Sequence, residues 1–263
     1  MRRVLQGAVV FTACVVLFSC RKNAASEQTA TPSDEALSKI YALGFSNKNV
    51  TIDENGNYLV EGDIVLSTAD LNAVPDMQFL RVGSAEQYRT YNLVTRLPRV
   101  ITVTMGSGLP SSYIAALDEA LGRYNAENLL LTFQRVASGG NITIVKGTGS
   151  YLASSGFPTS TGNPYNQVKV NARAIGNQPQ ATVASILAHE IGHCIGFRHT
   201  DYMDRSYSCG GQPVNEGAST VGAVFIPGTN PNPDPNSFML SCIGSGEDRP
   251  FNANDKIALA YLY

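Results

Sequence analysis

The sequence lacks several features that would place it in a common class of protein. Its 263 residues include no Trp, only 15% are Asp, Glu, Lys or Arg, and 19 basic against 21 acidic residues leave a formal net charge of −2. Because no basic surplus exists to neutralise phosphates, we expect no nucleic-acid partner. With 43% hydrophobic residues, the composition is that of a folded chain and excludes a mostly disordered one.

Cysteine is also scarce, and none of the five Cys lies between Cys20 and Cys194. Residues 1–19 begin with two Arg after Met1 and continue as a mostly apolar run, the pattern of a secretory signal peptide that is too short to span a membrane. The run ends in Leu-Phe-Ser-Cys, which resembles the lipoprotein box in which Cys20 becomes the lipidated N-terminus. We therefore expect a lipid-anchored protein of the bacterial cell envelope, at the outer membrane or the cell surface, with residues 20–35 as a flexible tether.

Two blocks follow the tether, and their patterns favour an α+β fold. In residues 36–96, Asn55-Gly56 between two short β-rich runs predicts a hairpin. Residues 97–263 alternate between strand and helix patterns and contain a Gly- and Pro-rich loop over 205–236. The predicted strands of this second block are 100–104, 129–133, 142–145 and 168–170, and its predicted helices are 111–124, 182–197 and one that ends at Tyr263.

All three His residues of the chain fall within residues 189–199. His189 and His193 are four residues apart, so on a helix they share one face and can bind one metal ion. Gly196 is where that helix should end, which lets the chain turn back and bring His199 as a third ligand. Three protein ligands leave a fourth position for water, as in catalytic zinc sites. Glu190 is then placed to act as the general base on that water.

The motif HExxHxxGxxH over 189–199 is similar to that of the metzincin metallopeptidases. Its first five residues, HEIGH, resemble the motif of the bacterial dual-action HEIGH family. The resemblance implies a metzincin-like catalytic domain over 97–263, with a mixed sheet, an active-site helix, a Met-turn and a C-terminal helix. It also implies a secreted or surface zinc endopeptidase that hydrolyses proteins or peptides. Met239 fits the Met-turn under the zinc ion. Ser241 stands where astacins have a Tyr ligand, so we expect no Tyr ligand here.

The run Val60-Glu61-Gly62-Asp63-Ile64 resembles the prosegment motif of the astacins, whose Asp occupies the fourth zinc position. The resemblance implies that residues 36–96 are a prosegment and that the chain is a zymogen blocked by Asp63. The alternative is an ordinary Gly-Asp turn. Cleavage between the blocks would activate the catalytic domain and release it from the lipid anchor. The candidate cleavage points are Arg89, Arg96 and Arg99.

The remaining cysteines and the other cofactors are less defined by the sequence. A disulfide between Cys209 and Cys242 would tie the long loop to the Met-turn, with Cys194 free or replacing one partner. We expect one catalytic zinc ion. Asp234 and Asn-rich loops offer oxygens for calcium, although no spacing specifies it. We expect a monomer.

Two other functions are compatible with the same residues. The first is a non-enzymatic surface lipoprotein that contains zinc and binds a polymer or a host ligand. A structural zinc site has no use for a base beside an open position, so Glu190 argues against it. The second is a hydrolase of non-peptide amides, which a metal site alone does not exclude.

Overall fold

A computed structural model describes residues 31–43, 45–72, 87–216, 222–230 and 234–263. The expected signal peptide, Cys20 and most of the tether lie outside the described residues. None of the described helices is long and apolar enough to cross a membrane. The two larger hydrophobic clusters of the described chain are drawn mainly from residues 36–71 and from residues 94–263.

The N-terminal block is a small helix-and-hairpin unit. Its first helix is capped by Ser33, whose hydroxyl accepts a hydrogen bond from the Ala36 amide at 3.2 Å. The Asn55-Gly56 pair lies in the turn of the predicted hairpin, where Gly56 has φ +79°. Three strands pair antiparallel in chain order. The elements are α1 (Asp34–Ala42), β1 (Thr51–Ile52), β2 (Tyr58–Val60), β3 (Ile64–Leu66) and α2 (Thr68–Asn72).

The second block is built on a five-stranded mixed sheet of order β6-β5-β7-β9-β8. The first four strands run parallel, and the edge strand β8 pairs antiparallel with β9. A separate two-stranded sheet pairs β4 with β10. The strands are β4 (Tyr88–Arg89), β5 (Arg99–Met105), β6 (Leu131–Val136), β7 (Ile142–Lys146), β8 (Ala153–Ser154), β9 (Gln167–Val170) and β10 (Val224–Phe225).

Two long helices pack together in this block, and a third closes the chain. The helices are α3 (Ser112–Asn125), α4 (Ala172–Ile175), α5 (Gln180–Ile195), α6 (Ser206–Cys209) and α7 (Ala253–Leu262). α5 is buried along nearly its whole length, and its apolar residues therefore occupy more than one face of the helix. The last helix begins with a capping box between Asn252 and Asp255. The predicted α+β fold, with its mixed sheet and C-terminal helix, is confirmed.

Residues 87–94 pack with the second block, although the sequence placed them in the first. Gln87 Nε2 donates to Ser237 Oγ at 3.1 Å and to Asp255 Oδ1 at 2.8 Å. Val94 belongs to the larger hydrophobic cluster, and Arg89 lies in β4. The packing therefore divides the chain between residues 72 and 87 rather than near Arg96. These contacts span 150 and 168 residues of sequence, and local sequence patterns carry no signal for them.

Candidate metal centre

Helix α5 and the turn after it bring the three histidines together. His189 and His193 lie one turn apart on the helix, with ring centroids 4.7 Å apart. The helix ends at Gly196, whose φ of +114° is in the left-handed region and whose amide bonds the Gly192 and His193 carbonyls. The chain then returns, and His199 Nε2 lies 3.2 Å from His193 Nε2. The three imidazoles therefore lie side by side.

Each histidine is held by an acceptor at its other ring nitrogen. A ring that donates through Nδ1 keeps the lone pair on Nε2 for a metal, and its orientation is fixed by the acceptor. The acceptors are the Phe238 carbonyl for His189 at 2.9 Å, the Phe197 carbonyl for His193 at 2.8 Å and the Glu216 carboxylate for His199 at 3.1 Å.

Asp63 of the N-terminal block completes the cluster. Its Oδ2 lies 3.0 Å from His199 Nε2 and 3.5 Å from His189 Nε2, and one ligand atom from each of the four residues falls within 4.8 Å of the others. Asp63 Oδ1 and His189 Nε2 are buried without a hydrogen-bond partner among the described residues. Buried polar atoms left unpaired are costly, and three imidazoles with one carboxylate are a donor set that suits zinc.

The backbone around Asp63 explains how it reaches the histidines. Gly62 has φ +93° and Glu61 has φ +56°, so the chain turns sharply just before Asp63. The Ser155 amide donates to the Asp63 carbonyl at 2.9 Å, and the Val65 amide donates to the Ser155 carbonyl at 2.6 Å. The segment therefore runs parallel to the chain at Ser155, next to the edge strand β8.

Glu190 lies beside the cluster and is only 2% exposed. Its Oε2 accepts a hydrogen bond from Ser155 Oγ at 2.6 Å, which fixes the direction of the carboxyl group. Burial and the nearby charge of Asp63 raise the pKa of Glu190 well above its usual range. A raised pKa suits a group that first takes up and then releases a proton.

The other titratable groups of the centre shift one another's pKa values. Burial opposes ionisation of Asp63, but the adjacent His199 and His189 hold its pKa well below the usual range. The carboxylates of Asp63 and Glu216 outweigh burial at His199 and raise its pKa. Burial and the neighbouring imidazoles lower the pKa of His193. The centre is thus arranged around one imidazole flanked by two carboxylates.

The turn at Met239 packs directly under α5. Met239 is fully buried, and a Cβ added to Gly192 would lie 2.6 Å from its sulfur, so only glycine allows this approach. Asp255 supports the turn by accepting from Ser237 Oγ at 2.8 Å and from the Phe238 amide at 3.1 Å. Burial raises the pKa of Asp255 to about 6. Met239 therefore packs against the helix that carries His189 and His193.

Cys209 and Cys242 form a disulfide, with their Cα atoms 5.1 Å apart, and Cys194 is buried as a free thiol. Asp234 does not join a cluster of acidic ligands among the described residues. Its Oδ2 instead accepts from the side-chain amides of Asn252 and Asn254 at 2.9 and 2.8 Å. Nothing in this arrangement favours calcium at Asp234.

Three features of the site were not predicted from the sequence. Glu216 lies in the Gly- and Pro-rich loop, where no motif marks it as the partner of His199. Ser155 lies in a Ser- and Gly-rich loop that carries no catalytic signal. Arg198, between the second and third ligands, is fully buried and donates to Glu61 Oε2 at 2.7 Å. The position of Arg198 inside the motif was the one available signal.

The sequence and the structure were compared with known proteins. The sequence model of a family described as dual-action HEIGH metallo-peptidase matches residues 58–263. Two solved structures titled as myroilysin align with the chain at 18% identity and TM-score 0.43, and at 17% and 0.40. The alignments cover 66% and 65% of this chain, and 97% and 86% of those chains. No curated protein matches the sequence.

Proposed function

The chain belongs to the dual-action HEIGH metallopeptidase family, and from that premise we propose that it is a zinc-dependent endopeptidase made as a zymogen that Asp63 blocks. The observation that carries the proposal is the convergence of three histidine Nε2 atoms with the Asp63 carboxylate. As a metallopeptidase, the protein acts on proteins or peptides. The proposal adds the identity of the metal, cleavage within chains and the latent state.

His189, His193 and His199 would hold the zinc ion, with their Nδ1 atoms anchored by Phe238, Phe197 and Glu216. When bound, zinc lowers the pKa of a water and polarises a carbonyl group. Glu190 would take the proton of that water and pass it to the leaving amine. Ser155 holds Glu190 in place through the 2.6 Å hydrogen bond, so Ser155 acts as a positioning residue.

Asp63 accounts for latency in this scheme. Its carboxylate lies among the ligand nitrogens, where a substrate and a water have to enter. The segment that carries it also pairs with the main chain at Ser155, beside the edge strand where a substrate chain would pair. The N-terminal block must therefore leave before a peptide can bind. Arg81 lies in the segment between the two blocks and is a candidate cleavage point that would leave β4 intact.

We further propose that the protein is lipid-anchored through Cys20 at the bacterial cell envelope and that it is a monomer. Cleavage between the blocks would then release the catalytic part from the membrane. Metabolic labelling with a fatty-acid analogue tests the anchor, because Cys20→Ala should abolish the label. Finding the active species still membrane-bound would contradict release.

The experiment that tests the peptidase is casein digestion by residues 21–263, before and after limited trypsin treatment. A Glu190→Gln chain is the matched variant, and zinc is measured in both. Cleavage by the parent alone, with about one zinc per chain in both, would support the proposal. Zinc in both but no cleavage after trypsin would favour the alternative of a zinc-containing lipoprotein that binds a polymer or a host ligand.

A further inference from the structure

Two buried cationic side chains beside the site form ion pairs with carboxylates of the N-terminal block. Arg198 Nη2 donates to Glu61 Oε2 at 2.7 Å, with both side chains fully buried. Lys169 Nζ lies 2.7 Å from Asp53 Oδ2 and 3.2 Å from Glu54 Oε1, and the Lys169 side chain is 4% exposed. Departure of the block would remove these carboxylates and uncover both cations.

Arg198 is incompletely satisfied even while the block is in place. Its Nε and Nη1 atoms have no hydrogen-bond partner among the described residues. Its guanidinium lies 4.8 Å from the ring centroid of Phe45, which also belongs to the block. An Arg side chain can bind a carboxylate through two parallel hydrogen bonds. The guanidinium therefore has unused donors for an incoming carboxylate.

The carboxylate that remains near Arg198 has other partners. Glu216 accepts from His199 Nδ1 at 3.1 Å and lies 3.5 Å from Arg205 Nε. Moving it to Arg198 would remove the acceptor that orients the third ligand. Loss of the block would thus leave Arg198 without a hydrogen-bonded carboxylate.

The N-terminal block contacts both Arg198 and the metal centre. Arg198 directly precedes the ligand His199, and Glu61 lies two residues before Asp63. The block therefore places one acidic side chain on the metal centre and another on Arg198, from a single short segment. Lys169 is on β9, whose neighbour β8 forms the edge of the sheet.

From these contacts we propose that Arg198 is a specificity-determining residue that binds an acidic side chain of the substrate. The active peptidase then prefers polypeptides with Glu or Asp about two residues from the scissile bond. Lys169 adds a broader preference for acidic segments. This inference rests on the proposed function, because it assigns a substrate class to the same cleft.

The test uses the full chain activated by limited trypsin, with the released fragment left in the mixture. Two pairs of fluorogenic peptides are compared, and the members of each pair differ only by Glu or Gln. The changed residue is the second from the scissile bond, on the N-terminal side in one pair and on the C-terminal side in the other. We expect kcat/KM to be at least about tenfold higher for the Glu peptide at one of the two positions. A ratio near one at both positions would overturn the inference while leaving the peptidase intact.

Variants of the same chain show whether Arg198 causes the preference. Arg198→Met should bring the Glu/Gln ratio close to one, and Arg198→Lys should retain part of it if the Met variant does not fold. Arg135→Met is the matched control, because Arg135 is 38% exposed and pairs with Asp118 on the surface. The control should keep the full ratio. An unchanged ratio in a folded Arg198→Met chain would overturn the assignment.

A binding measurement separates this inference from the proposed function. The Glu190→Gln chain, treated with trypsin in the same way, is titrated with the labelled Glu and Gln peptides and followed by fluorescence anisotropy. Absence of any cleavage by the parent would contradict the proposed function alone. Tighter binding of the Glu peptide would still support the inference, and equal binding would overturn it.

Discussion

Replacing Glu61 by Leu should activate the latent chain without any cleavage. The Glu61–Arg198 pair is fully buried and joined at 2.7 Å, and removing one partner of such a pair costs about 3–5 kcal/mol. Most residues of one hydrophobic cluster belong to the N-terminal block, with Phe157 of the second block packed against them, so we expect the block to move away as a unit and expose the unpaired guanidinium to water. At 1.4 kcal/mol per tenfold change, the ratio of undocked to docked block should rise by about 10² to 4 × 10³.

The assay is the initial rate of peptide hydrolysis by the uncut full chain. The rate of Glu61→Leu should exceed that of the parent by at least about tenfold, up to the level of the trypsin-activated protein. Asp118→Leu is the control, because Asp118 is 49% exposed in its pair with Arg135 and such pairs contribute little. Adding Arg198→Met to Glu61→Leu removes the unpaired cation and should lower the rate again on a Gln peptide, whose binding does not use Arg198. A folded, zinc-loaded Glu61→Leu chain as latent as the parent would refute the reasoning.

Three further predictions concern the stability of the folded chain and the positioning of Glu190. With a sequence separation of 33 between its two cysteines, the Cys209–Cys242 disulfide should contribute about 4 kcal/mol, and urea unfolding of the double Cys→Ser chain should show that loss. Ser155→Ala removes the 2.6 Å hydrogen bond to Glu190 and should lower kcat/KM about 10- to 100-fold with zinc content unchanged; unaltered kcat/KM would contradict a positioning role. Because the pKa of Asp255 is raised to about 6, its protonation stabilises the fold below about pH 4, and that contribution, about 3 kcal/mol, is lost as the pH rises through 6. Urea unfolding at pH 4 and 7.5 should show this difference, and Asp255→Asn should remove it; equal pH dependence in the two chains would contradict the assignment.

The part of the site that the sequence could predict is the part set by local spacing. His189 and His193 share a helix face because they are four residues apart, and Gly196 permits the turn that returns His199. Glu190 follows from its place beside the first ligand. These relations lie within eleven residues of one helix and its C-terminal turn, so helical geometry alone determines them.

The part that could not be predicted depends on residues far apart in the chain. Glu216 supports His199 from a loop whose path no periodicity describes, and Ser155 meets Glu190 across 35 residues. The contacts of Gln87 with Ser237 and Asp255 place the boundary between the two blocks between residues 72 and 87, whereas the sequence predicted it near Arg96. Such pairings come from tertiary packing, and a single sequence carries no local signal for them.

The Asp63 carboxylate at the three histidines is the central claim for latency. The most direct test is the initial rate of peptide hydrolysis by the uncut Asp63→Ala chain, with zinc measured in the same sample. Asp34→Ala is the control, because Asp34 is an exposed acidic residue of the same block. We predict a higher rate for Asp63→Ala alone, with about one zinc per chain throughout. An unchanged rate in a folded, zinc-loaded Asp63→Ala chain would contradict the account.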